Sequence, residues 1–169
     1  MHLSAHARYD ADLGAAVRML ADEEFVAAKV RASGALSQQV DVVGGPDEAF
    51  TVTTRRQMPT DGIPAQFRSL VGGSLEVRQV EAWEPPGGPD RPGRRGTVVV
   101  EILGAPVRMT GTLRLETQDD GTTVQHFEGD LKASLPLFAS AVEEATAQAV
   151  RAAIAAEERT AAVWLRRPG

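Results

Sequence analysis

Leu3, Ala5, Ala7 and Tyr9 interleave with His2, Ser4, His6 and Arg8, the period of two expected of a strand with one buried face. This predicts a first strand at 2–9. The period then lengthens. Asp10 or Asp12 offers a side-chain oxygen to the free amides of a first helical turn, and Val17, Leu20, Phe25 and Val26 supply an apolar stripe. One broken helix or two short ones are expected over 12–32, ending at Ser33-Gly34, where glycine accepts the backbone angle that closes a helix.

From 36 to 133 the pattern returns to alternation broken by turn residues. Val40 and Val42, then Gly44-Gly45-Pro46-Asp47, then Phe50, Val52 and a threonine-rich run to Gln57 read as a hairpin. Met58 to Pro64 is a breaker, followed by a short helical turn carrying Phe67, Leu70 and Val71. Four more strands are expected at 75–83, 96–103, 107–117 and 122–135. Their connections are a proline-glycine loop, Gly104-Ala105-Pro106, and the strong turn pair Asp120-Gly121. Val107, Met109, Gly111, Leu113 and Leu115 alternate with Arg108, Thr110, Thr112, Arg114 and Glu116, so one face of the sheet meets a core and the other meets water. Residues 137–165 contain no glycine and only helix-compatible residues, with 11 alanines between 139 and 162, which predicts a long helix of small side chains. Its acids lie toward the start and Arg166 and Arg167 at the end, as a helix dipole favours.

The order is strand, helical pair, six-strand meander, long helix. Only the last helix is long enough to cover the concave face of a one-sided sheet. The fold class is therefore α+β, a seven-stranded curved antiparallel sheet around a C-terminal helix, with two short helices after strand 1, in a single domain over 1–169. On the opening strand running into Tyr9-Asp10-Ala11-Asp12, the Phe25-bearing helical pair and the last helix, the chain resembles the START-like or Bet v 1-like helix-grip (SRPBCC) superfamily. Thr53-Thr54-Arg55-Arg56 with Pro59-Thr60-Asp61, Gly111 to Glu116, and Ala156-Glu157-Glu158-Arg159 leading to Trp164-Leu165 are similar to an uncharacterised actinobacterial family, domain of unknown function 2505. The resemblance implies an apolar ligand, such as a lipid or polyketide, between sheet and helix. It supplies no catalytic residues.

Composition narrows the chemistry. A hydrophobic fraction of 43% with 24% charged residues excludes a disordered chain, and no apolar run approaches the roughly 20 residues of a membrane span. A cytoplasmic, soluble protein is expected, as the first residues lack the basic start and apolar stretch of a signal peptide. The absence of cysteine removes disulfides, thiolate metal sites and thiol nucleophiles. The net charge of −5 argues against nucleic acid, which demands a basic stripe. The single basic cluster, Arg91 to Arg95, falls in the flexible loop expected at 84–96, where it reads as a solvated tip.

The inward phases nominate Phe50, Val52, Val77, Val98, Val100, Met109, Leu113, Phe127, Leu131 and Val142 as cavity lining, with Phe67 near an entrance. The same residues would make an ordinary filled core, and an alanine-rich helix is compatible with either arrangement. Of the adjacent Arg55 and Arg56, the phase of Phe50 and Val52 turns Arg56 inward, where it would meet an anionic ligand group or form a rim ion pair with Asp61 or Glu81. Arg56 is the one charged candidate at the space between sheet and helix. His2, His6 and His126 share the outward phase with Glu128 and Asp130, so cross-strand histidine–carboxylate contacts are expected rather than a metal site. Glu101, Glu116, Glu128 and Asp130 likewise point outward. The glycine pairs lack any phosphate-cradling spacing, and no cofactor is implied. The expected function is binding or transport of an apolar small molecule, with a ligand-free interaction module or homodimer as the alternative and a cyclase-, aromatase- or hydrolase-type enzyme third.

Overall fold

The structure, a computed structural model, describes residues 1–168 except the side chain of Leu70; that expected helical position lies outside the described residues. Strand β1 (His2–Tyr9) leads into helices α1 (Leu13–Leu20) and α2 (Glu23–Ala32). The expected cap forms at Asp12, whose carboxylate accepts from the Ala15 amide at 2.8 Å, and Asp22 separates the two helices by accepting from the amides of Glu24 and Phe25. Six strands follow: β2 (Ser37–Gly44), β3 (Phe50–Pro59), β4 (Ser74–Trp83), β5 (Arg94–Leu103), β6 (Val107–Thr117) and β7 (Thr123–Ala133). Helix α3 (Ala65–Val71) interrupts them after β3, and α4 (Ala139–Trp164) closes the chain.

All pairings are antiparallel, and the sheet order is β1-β7-β6-β5-β4-β3-β2, so the meander is completed when the first strand adds beside the last. The predicted alternation on β6 is realised residue by residue: Val107, Met109, Leu113 and Leu115 are buried while Arg108, Thr110, Thr112 and Arg114 are exposed. On this inner face Gly111 stands opposite Gly129 of β7. A Cβ on Gly111 would lie 2.4 Å from the Glu128 carbonyl oxygen, and one on Gly129 would lie 3.2 Å from the Phe127 ring. The backbone of β7 leaves no room for a side chain at Gly111, and over Gly129 the Phe127 ring takes the space a side chain would need.

Several expected boundaries move by one or two residues, β7 ending at Ala133 rather than 135 among them, and three have a physical reason. Strand β3 runs through Pro59, where β2 no longer runs alongside and one edge is free, a place where proline is tolerated. The basic cluster does not stay in the loop: Arg94 opens β5, is 4% exposed, and donates to the backbone carbonyls of Glu84, Pro46 and Glu48 while lying over the Phe50 ring. It locks the β2–β3 turn to β5, and only its neighbours Arg91 and Arg95 are solvated. Helix α4 begins two residues later than expected because Leu137 adopts a φ of 68°, outside helical space. At its other end Arg166 and Arg167 lie past the last turn, where the Arg166 guanidinium caps the Ala162 carbonyl at 3.0 Å and Arg167 stacks over Trp164.

Helix α4 packs against β1, β7 and α2, with Phe25 of α2 edge-on to Trp164. Helix α2 packs against β2 and α1 against β6, and Phe50 stacks on Trp83 within the same core. Between α4 and the β3–β4 side of the sheet, the alanines leave space.

Candidate functional site

That space is a cavity of about 580 Å³, within the range of roughly 300 to 1,000 Å³ typical of small-molecule sites. Its floor is made by inward strand residues, Val77, Val98, Val100, Ile102, Met109, Leu113 and Phe127. Its roof is the alanine-rich flank of α4, with Val142, Val150 and Ile154 the larger side chains. The lip is formed by Pro59 to Pro64, by α3 through Phe67, which meets Phe138 edge-on, and by the Gly104-Ala105-Pro106 turn. The residue pattern is equally compatible with a filled core and a cavity; the small residues of α4 leave the interior open.

Nine of the expected lining residues take that place: Arg56, Phe67, Val77, Val98, Val100, Met109, Leu113, Phe127 and Val142. Phe50, Val52 and Leu131 do not. They face inward but are sealed in the core, each no more than 2% exposed, Phe50 under Trp83 and Leu131 in the region of β7 that α4 covers. Inward phase selects the concave face; which part of it a helix seals depends on where the helices lie.

The polar end of the cavity departs most from expectation. Arg56 is not its only charged residue: Lys29, Glu81 and Glu157 line it too, each 5–7% exposed. Lys29 Nζ donates to Glu157 Oε2 at 2.9 Å and lies 3.4 Å from Glu81 Oε1. Glu81 also accepts from Gln79 Nε2 at 2.7 Å and from the Trp83 indole at 3.3 Å. The Tyr9 hydroxyl donates to Glu157, and the Gln125 side-chain carbonyl lies 3.3 Å from the same hydroxyl. Arg56 joins through Gln79, its Nη2 donating to Gln79 Oε1 at 3.1 Å, with no ion pair to Asp61 or Glu81. Two cations and two carboxylates thus form one neutral, connected network, as buried charge requires.

Its electrostatics follow from burial. Desolvation pulls the Lys29 ammonium down, but the fields and hydrogen bonds of Glu157 and Glu81 outweigh it, and the net shift is upward. Desolvation, reinforced by the charge of Glu157, pushes the Tyr9 hydroxyl well above its ordinary value of 10.0. Desolvation lowers Arg56, offset only in part by Glu81. Because Tyr9 stays protonated in the folded protein while an unfolded chain ionises near 10.0, stability is expected to fall as pH rises above that value. Lys29 acts in the same direction, its contribution being complete below 10.5 and lost above. Tyr9 is the sole tyrosine, so an alkaline titration of tyrosinate absorbance reads it directly. Ionisation is expected to coincide with loss of the far-ultraviolet helix signal; a tyrosine titrating near 10 in a protein that remains folded would show that Tyr9 is not held in this network.

These residues are visible in the pattern. Gln79 and Glu81 share the inward phase of Val77 and Trp83, Gln125 that of Phe127, Lys29 the stripe of Phe25, Val26 and Val30, and Glu157 the stripe of Ile154 and Ala161. Each is a polar residue at an apolar position, a signal that charge taken by itself assigns to the surface.

The convex face is occupied by paired charges. His2 contacts Glu128 and Asp130 at 2.9 and 3.2 Å, and His126 contacts Glu116 at 3.1 Å. The side-chain hydrogen bond to Asp130, followed by that to Glu128, raises the His2 pKa. Glu101 bridges Arg78 and Arg108. Among the described residues no cluster of histidine and carboxylate is arranged to hold a metal ion.

The sequence profile of a family described as a protein of unknown function (DUF2505) matches residues 4–165. The chain belongs to this DUF2505 family. No curated protein matches it in sequence. Among solved structures, the protein TTHA0849 from Thermus thermophilus is similar at a TM-score of 0.64 and 14% identity, covering 99% of this chain and 100% of that one. The Zhui aromatase/cyclase from Streptomyces sp. R1128 gives 0.55 and 13%, covering 95% and 90%. A START superfamily protein from Mycobacterium smegmatis gives 0.56 and 10%, covering 94% of each chain. At these identities the likeness is one of fold, and this DUF2505 chain has the helix-grip architecture of the START-like superfamily.

Proposed function

We propose that this DUF2505 protein acts as a single START-like domain that binds an apolar small molecule, a lipid, polyketide or similar compound, between sheet and α4, and carries it in the cytoplasm. The observation that supports this is the cavity of about 580 Å³, apolar on floor and roof and open at one lip. Emptying such a space of water and filling it with hydrocarbon is favourable in proportion to the apolar area covered.

Catalysis is the second reading, favoured by the convergence of Lys29, Glu81, Glu157 and Tyr9 inside the cavity and by the existence of an aromatase/cyclase with this fold. Against it, the oxygens of both carboxylates already accept hydrogen bonds, and Lys29 and Tyr9 are both held firmly protonated. Neither Lys29 nor Tyr9 is poised to give up its proton near neutral pH. Binding is therefore the stronger reading.

Titration with the neutral fluorophore N-phenyl-1-naphthylamine is expected to give saturable one-to-one enhancement, and acyl-chain compounds that displace it are expected to raise the melting temperature by mass action. A protein that neither binds the probe saturably nor yields an apolar compound on solvent extraction from its host would rule the reading out.

A further inference from the structure

The cavity wall carries one cation that the protein leaves short of partners. Arg56 faces inward from β3, lines the cavity, and commits a single side-chain hydrogen bond, to the neutral amide oxygen of Gln79. Among the described residues no carboxylate lies within ion-pair distance of it, whereas its outward neighbour Arg55 is paired with Glu76. A guanidinium presents donors on three nitrogens and accepts nothing. The carboxylates of the network are held by other partners, Glu81 by Lys29, Gln79 and Trp83 and Glu157 by Lys29 and Tyr9, and neither is ion-paired with Arg56.

A mostly buried cation with unused donors beside an apolar space lacks an acceptor-only group, which an ionised carboxylate supplies in a geometry that matches the guanidinium fork. We propose that the ligand is an amphipathic carboxylic acid, its apolar body on Val77, Val100 and Met109 and its carboxylate on Arg56. The proposal rests on the binding function above and names its ligand class. A phosphate monoester would bring a second negative charge beside Glu81, whose field already acts on Arg56, so a singly charged head is the better match.

The test compares dodecanoate with dodecan-1-ol, the same chain with and without the charge, by displacement of N-phenyl-1-naphthylamine. The wild-type protein is expected to prefer the acid by roughly tenfold or more. Arg56→Gln should abolish the preference, bringing the acid to the alcohol's level, while Arg56→Lys, which keeps charge but loses the fork, should retain part of it. Arg55→Gln, on the outer face, should behave as wild type. Circular dichroism and dodecanol binding establish that each variant is folded. Equal displacement by acid and alcohol in the wild type, or a preference that survives Arg56→Gln, overturns the proposal while leaving the binding function standing. Failure of the neutral probe itself to bind overturns both.

Discussion

Replacing Glu157 by leucine is expected to cost about 3 kcal/mol of stability, within the range for removing one member of a buried ion pair. The loss has two sources. Lys29 would keep only Glu81, at 3.4 Å, and the buried Tyr9 hydroxyl would lose its carboxylate acceptor. Urea denaturation should show a lower midpoint with an unchanged slope, since the surface exposed on unfolding hardly alters. Glu157→Gln retains an acceptor for Tyr9 and Lys29 and should lose less. A second readout separates the network from simple packing: Tyr9 should ionise closer to 10 in Glu157→Leu, because the charge that opposes its ionisation is gone. A loss of less than about 1 kcal/mol, the value of an ordinary hydrogen bond, would mean that Glu157 does not hold the network together.

Filling the cavity should do the reverse, removing binding while sparing the fold. Ala153 lies on the roof, and in Ala153→Phe the ring enters the cavity and takes the volume a ligand needs. Affinity for N-phenyl-1-naphthylamine is expected to fall by about tenfold or more, a loss of some 1.4 kcal/mol. The cost to stability should stay near the roughly 0.5 kcal/mol by which phenylalanine trails alanine in helix propensity. If the probe binds Ala153→Phe as it binds the wild type, it occupies another site. The shallow groove between α2 and the end of α4, lined by Ala28, Val163 and Trp164, is the alternative to examine.

The strand-by-strand reading captured the architecture because the sheet is one-sided. On β6 each residue's face follows from its neighbour's, and the wet convex surface forces polar residues to alternate with apolar ones. The elements that misled were those where a polar group is buried with its own partners. Arg94 lies between glycines and prolines and reads as loop, yet three carbonyls and an aromatic ring make its burial favourable. Glu157 sits in the run Glu157-Glu158-Arg159, which looks like a solvated helix face. Only its helical phase with Ile154 and Ala161 turns it inward, while Glu158 next to it reaches the Arg8 amide at the exposed edge. Phase outranked polarity at both places. The three lining candidates that proved to be core show the complementary gap: phase says which face a side chain is on, but the lateral position of α4 over β1 and β7 depends on contacts far apart in the chain.

The network at the polar end of the cavity is also a record of the order in which the chain must assemble. Its members come from residue 9, residue 29, β3, β4, β7 and the last helix, and the Tyr9–Glu157 hydrogen bond spans 148 positions. Strand β1, made before the other six strands of the sheet, has no strand beside it until β7 arrives, and α4 has no seat until both are paired. Closing contacts of such separation is slow relative to forming the hairpins of the meander. A partly folded chain can therefore display most of its sheet yet possess no interior. Occupancy of the cavity becomes a signal of the final step of folding, and a ligand present during synthesis would select for chains that had completed it.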